Sequence, residues 1–271
     1  MGTYSGYSGV VLGDTSAFPS TSLWHQVDAD ANRPGRWLDV FKDFGTTGFV
    51  TPTTEATWAG DMKAFTSSGG TLAGQDIEGG VIAVHDATDN EAASIGMANF
   101  PFKIIRGGGD LVLEARYRTD LITDTGTAVF IGLIETAALS VTVPLGAAAG
   151  AHTDNNYVGF DRLEGDGDQF DTVYKANGVT AVTVKADAIT LVAATWVKLG
   201  MVYCDAESRL YFYKDGVVLP DSKEIPAAAG TDFPNDVRLG FVMAVMGAAS
   251  GPIVSLIDWF RVAQRRVLQV Q

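Results

Sequence analysis

The chain has 271 residues, 46% of them hydrophobic and 19% charged, a balance that excludes wholesale disorder and supplies enough apolar side chains for a sizeable core. Lys plus Arg number 19 against 32 Asp plus Glu, a formal charge of -13 whose field repels polyanions, so nucleic acid is excluded as a general partner. The lone Cys204 cannot close an intrachain disulfide, which leaves packing to hold the fold together.

Residues 1–45 read as an extended, mostly irregular N-terminal arm, because Gly, Ser, Pro, Asp and Asn punctuate isolated apolar clusters without a sustained period. Met1 to Gly6 has neither a basic nor an apolar leader region, so no export signal is expected. Trp24 and Trp37 are costly to leave in water, and the arm is therefore expected to lie on its own domain or on a neighbouring subunit. Both tryptophans are candidate interface anchors. Trp37, Val40, Phe41 and Phe44 fall at i, i+3, i+4 and i+7, which predicts a short helical turn.

From residue 46 onward the period-two signal predominates. Val81 to Val84 reads as a strand after Gly79-Gly80, while Asp89 to Ala98 is compatible with a helical turn or a loop. Gly107 to Gly109 predicts a turn before Asp110 to Arg118, whose alternation marks a strand with one wet face. Thr127 to Ile134 and Tyr157 to Asp161 are further strands, and Asn177-Gly178 predicts a hairpin between Phe170 to Ala176 and Val179 to Lys185. Trp196 to Tyr203, Arg209 to Tyr213, a tight turn at Lys214 to Val217, Val237 to Val245 and Ile253 to Val262 complete the series. The most apolar stretch, Thr127 to Ala151, is interrupted by Glu135 and Pro144 and cannot supply about 20 uninterrupted lipid-facing residues, so no membrane span is expected. Successive strands with almost no long helix predict an all-β sandwich over residues 46–263, followed by a tail at 264–271.

Few residues carry a chemical signal. Asp161, Glu164, Asp166, Asp168 and Asp171 concentrate the hard oxygen ligands that calcium prefers, although their spacing departs from the twelve-residue calcium loop. With Asn155, Asn156 and Tyr157 they form the candidate calcium- or glycan-binding loop. His25, His85 and His152 stand in no zinc or triad setting, and no nucleophile motif is present, so no catalytic residue is assigned and no cofactor other than calcium is suggested.

Thr195-Trp196-Val197-Lys198-Leu199, Phe212-Tyr213-Lys214-Asp215-Gly216 and Asp258-Trp259-Phe260-Arg261-Val262 resemble, in this order, strands of the concanavalin A-like or laminin-G-like jelly rolls. The resemblance runs over roughly 157–263 and implies a concanavalin A-like jelly-roll sandwich. Alternation puts Val197, Leu199, Met201 and Tyr203 on one inner face and Val254, Leu256, Phe260 and Val262 on another, with Asp258 needing an Arg or a backbone N–H as partner. A glycosidase of this resemblance would carry Glu-x-Asp-x-Glu along one strand. Glu164-Gly165-Asp166-Gly167-Asp168 comes nearest, but its glycines predict a loop.

The resemblance is strongest to tailed-bacteriophage virion proteins, and it implies a non-enzymatic capsid decoration or cement protein assembled in the host cytoplasm. The major capsid protein or other virion proteins would be its partners and a homotrimer its form. A carbohydrate-binding module or phage adhesin acting on host-surface glycans is the alternative, and a glycan hydrolase follows behind it.

Overall fold

The computed structural model describes residues 21–29, 36–44, 56–58, 62–66, 70–75, 81–86, 91–120, 122, 127–135, 145–146, 152–227, 231–235, 237–247 and 253–267. Among these residues one helix, α1 (Thr21–Ala29), precedes sixteen strands: β1 (Trp37–Asp43), β2 (Ala56–Trp58), β3 (Met62–Thr66), β4 (Gly70–Gln75), β5 (Val81–Asp86), β6 (Ala92–Met97), β7 (Leu111–Thr119), β8 (Thr127–Glu135), β9 (Tyr157–Arg162), β10 (Gln169–Lys175), β11 (Val182–Thr190), β12 (Val197–Cys204), β13 (Arg209–Lys214), β14 (Val217–Glu224), β15 (Leu239–Gly247) and β16 (Ile253–Arg265). They form two antiparallel eight-stranded sheets. Sheet A has the order β14-β13-β12-β7-β16-β5-β4 with β1 added to β16, and sheet B has the order β11-β10-β9-β8-β15-β6-β3-β2.

Position in the sheet explains each strand's composition. The central strand β8 (TAVFIGLIE) is apolar almost throughout, and it is buried on both faces up to Glu135. The edge strands β11 and β14 carry Lys, Asp and, in β14, Pro220, which blunt an edge against further pairing. The Asn-Gly hairpin forms as expected, and the β13–β14 turn places Asp215 at φ 51° and Gly216 at φ 79°, the left-handed geometry of a tight hairpin.

The main core lies between the sheets. Three aromatic pairs bridge it: Phe241 stacks on Phe260 at 3.9 Å, while Phe160 meets Phe212 and Tyr117 meets Phe170 edge-on, each at 5.5 Å. Each such pair adds about 0.5–1.5 kcal/mol beyond the area it buries. The Tyr117 hydroxyl reaches Ser255 Oγ at 3.1 Å, so this buried phenol remains hydrogen-bonded.

Three expectations are corrected. Residues 37–43 form strand β1, not a helical turn, because the C-terminal half of β16 offers a free edge from Trp259 to Arg265 along which the whole segment pairs. The same residues also read at period two, with Leu38 and Val40 packed against the core. Residues 92–97 form the buried strand β6. Finally, a β-bulge between Ile257 and Trp259 shifts the alternation of β16 by one residue. Phe260 and Val262 therefore enter the core, whereas Leu256 packs with Val254 and Trp196 in a separate cluster. Asp258 finds the expected arginine, an ion pair with Arg116.

Candidate functional site

The two faces turned away from the core carry the chemistry. On sheet A, helix α1 presses Leu23, Trp24 and Val27 against Val112 and Ala263, with Trp37 half-buried beside them. Trp24 Nε1 donates to Glu114 Oε2 at 2.9 Å, and the Arg261 guanidinium lies 4.2 Å over the Trp24 ring. Arg261, whose side chain is only 4% exposed, donates twice to Asp39 at 3.1 and 2.8 Å and once to Asp28 at 3.0 Å. Trp24 thus anchors the helix to its own sandwich and has no face left for a partner. Trp37 belongs to the same cluster, so the interface role expected of the two tryptophans loses its exposed aromatic anchor.

On sheet B, alternation along β9 turns Tyr157, Gly159 and Asp161 outward, and along β10 it turns out Asp171, Val173 and Lys175. The β9–β10 register sets Asp171 directly opposite Asp161. Like charges in that position repel, and the structure relieves the repulsion locally. His152 Nε2 stands 2.6 Å from Asp161 Oδ2, and the Asp187 N–H donates to Asp171 Oδ1 at 2.8 Å. Burial raises the Asp161 pKa against the opposing hydrogen bond and charge of His152. Burial also pushes Asp171 up to about 6, helped by the charges of Asp161, Asp166 and Asp187 and opposed by the Asp187 N–H. Both carboxyls are therefore held above the usual carboxylate range.

Tyr157 ties this cluster to the apolar part of the face. Its ring contacts His152 at 5.2 Å and Phe130 at 5.5 Å, and burial raises its phenol pKa. Gly132 and Gly159 sit side by side beneath the Phe130 ring. A Cβ on Gly159 would stand 2.5 Å from the Ile131 carbonyl and 3.0 Å from Phe130 Cζ, so only glycine fits. Among the described residues, two buried atoms of the cluster have no hydrogen-bond partner, Asp161 Oδ1 and the Tyr157 hydroxyl.

The structure divides the loop expected to bind calcium or glycan. Asn156 is buried, donating its amide to Glu135 Oε2 at 2.9 Å and accepting from the Asn177 N–H at 2.9 Å, while Asn155 donates to Thr153 Oγ1 at 2.7 Å. Tyr157 is fully buried and offers no open platform. Residues 163–168 form the predicted turn: Asp166 Oδ2 accepts from the Leu163 N–H at 2.7 Å, and the Asp168 carbonyl accepts from the Leu191 N–H at 2.7 Å. Glu164 stands in solvent on this turn. Among the described residues no group of three or more His, Cys, Asp or Glu side chains is arranged to hold a metal ion. Most of the Ala137 to Ala151 segment lies outside the described residues.

Sequence reasoning found Asp161 and Asp171 but not their pairing, and it missed His152, Glu114 and Arg261. Once strands are assigned, the alternation of β9 and β10 signals that both aspartates face outward. His152 and Arg261 acquire their partners only through the fold.

No family model matches the chain, and neither does any curated protein. Solved structures do match. An endo-1,3-β-glucanase from Streptomyces sioyaensis superposes with a TM-score of 0.58 at 12% identity, covering 86% of this chain and 98% of that one. The GH16 protein of the Bacteroides ovatus mixed linkage glucan PUL gives 0.54 at 10% identity, covering 82% and 99%. Peanut lectin gives 0.53 at 13% identity, covering 86% and 99%. The fold is the concanavalin A-like jelly roll. At such identities the likeness establishes the sandwich alone. Proteins named as a glucanase and as a lectin share this jelly roll, so the sandwich by itself assigns no role.

Proposed function

We propose that the protein binds carbohydrate without cleaving it, through the outward cluster of His152, Asp161 and Asp171 on sheet B. The observation that carries this reading is the outward row of β9. It reads Tyr157, Gly159, Asp161, with glycine where a glycosidase of this resemblance would place a second carboxylate on the same strand. Asp161 itself is 2% exposed and engaged by His152, so it is poorly placed to attack a sugar carbon. Half-buried Asp171 and the rim of His152 keep the capacity to hydrogen-bond sugar hydroxyls. The structural relatives, named as glucanases and a lectin, supply the ligand class. The virion-shell reading rests on a resemblance to phage proteins, and none of the structural neighbours named above is a virion protein.

The test is calorimetric titration of the purified chain with oligosaccharides of β-1,3-glucan, mixed-linkage glucan and galactosides, with a reducing-end assay run in parallel. Saturable binding that weakens about tenfold or more in Asp171→Ala, with no reducing ends released, is expected. Release of reducing ends that stops in Asp171→Ala would replace this reading with a hydrolase, and failure to bind any of the glycans would remove it.

A further inference from the structure

A cavity of about 420 Å³ opens at the end of sheet A where the β7 approach, the β12 exit and the β16 exit converge, within the size range of small-ligand sites. Its lining residues include three arginines, Arg36, Arg265 and Arg266, beside two aspartates, Asp110 and Asp205. In a chain of formal charge -13 this local balance runs against the mean field.

The carboxylates are engaged within the protein. Asp205 Oδ1 accepts from the Gly107 N–H at 2.7 Å and the Tyr203 hydroxyl at 2.9 Å, and its Oδ2 accepts from the Gly109 N–H at 3.2 Å. Asp110 Oδ1 accepts from the Asp205 N–H at 2.8 Å. These bonds tie the glycine turn to the β12 exit and build the cavity wall. Arg265 and Arg266 are less committed. Arg265, with half its side chain exposed, reaches Asp110 Oδ2 only at 3.5 Å. Arg266 is fixed through its backbone, donating its N–H to the Arg36 carbonyl at 2.6 Å, while its side chain stands exposed. The cavity therefore places two exposed arginines on a braced backbone, with Asp205 engaged by its own turn and Asp110 Oδ2 in a long contact with Arg265 that an anion would compete for.

We propose that this cavity binds the anionic group of an acidic saccharide, a uronate carboxylate or a sugar sulfate, with Arg265 and Arg266 as the forked donors. Planar guanidinium groups match the two oxygens of either anion. The anionic part of the proposal stands on the cavity alone, and its saccharide part rests on the glycan reading above. This site is separate from the sheet B cluster, so a ligand long enough to carry both neutral and acidic sugars would be read by two faces of one sandwich.

The test titrates the full chain with a galacturonate oligomer, a sulfated glucan oligomer and a neutral glucan oligomer of equal length, at low and high salt. The same set is run on Arg265→Ala/Arg266→Ala, on the double lysine variant, and on Asp171→Ala. The acidic oligomers should bind at low salt, weaken about tenfold or more in the double alanine variant, and recover partly with lysine. The carboxylate and sulfate arms identify the anion. Neutral-glycan binding should respond to Asp171→Ala and not to the arginine pair, so failure of one site is separable from failure of the other. An unchanged melting temperature checks the folding of each variant. Acidic oligomers that bind no better than the neutral one, or equally well to the double alanine variant, would overturn the proposal. A response to inorganic sulfate without any response to an acidic sugar would overturn the saccharide assignment.

Discussion

The two outward faces of the sandwich bury polar groups in opposite ways. On sheet A, each charge beneath α1 meets an opposite charge or an aromatic face: Arg261 holds Asp39 and Asp28 and covers Trp24, which in turn donates to Glu114. On sheet B, two carboxylates face each other within an apolar surface, with one histidine and one backbone N–H for relief. The first arrangement fixes an N-terminal segment in place. The second leaves Asp161 Oδ1 and the Tyr157 hydroxyl without a hydrogen bond, while beneath α1 Glu114 Oε1 is the corresponding buried atom.

That contrast can be broken at its strongest point first. Replacing Arg261 with Ala removes the cation over Trp24 and its hydrogen bonds to two partly exposed aspartates, and should cost about 2–3 kcal/mol in equilibrium urea unfolding. A loss below about 0.5 kcal/mol would show that α1 is held by its apolar contacts alone. On sheet B, Gly159→Ala forces a methyl group into the Ile131 carbonyl and the Phe130 ring, and it should destabilise by about 1–3 kcal/mol. A neutral result would mean that the β8–β9 pair separates more readily than its close approach implies.

The smallest effect is the most diagnostic for the aspartate pair. Asp171 has a folded pKa near 6, above its unfolded value, so between about pH 4 and pH 6 the folded state binds more protons. Stability from this group is therefore present at low pH and lost as pH rises through 6. Asp171→Asn should then stabilise the protein at pH 7 by less than about 1 kcal/mol, after solvent screening, and make little difference at pH 4. Paired melting curves at the two pH values measure this, and equal shifts at both would dissolve the linkage.

Where the sequence was legible, one physical signal sufficed. Period-two alternation placed Val197, Leu199, Met201 and Tyr203 in the core, and Asn177-Gly178 marked its hairpin, because both depend on neighbours in the chain. Trp37 to Phe44 misled because its apolar residues satisfy two periods at once, and the edge of β16, more than 200 residues away, decided between them. The bulge at Asp258 was unreadable for the same reason, since an inserted residue moves a face without altering composition. Among the site residues, Asp161 and Asp171 stood out as acids, but their confrontation depended on β9–β10 register, and the hydrogen bond from His152 depended on how the chain returns before β9. The arginines of the sheet A cavity gave no sequence signal, being separated by more than 200 positions from Arg36 to Arg265.

The position of β16 bears on how the molecule comes into being. This strand, the last among the described residues, lies in the interior of sheet A, where it joins β7 to β5 and offers its far half to β1. During vectorial synthesis, β7, β12, β13 and β14 can associate early, but β1, β4 and β5 have no place in the sheet until the final strand emerges. Closure of sheet A is thus postponed until β16 has been synthesised, and it proceeds by long-range pairing of the slow kind. The contacts that hold α1 to the sandwich therefore form only after β16 has been delivered, because Arg261 and Ala263 belong to that strand.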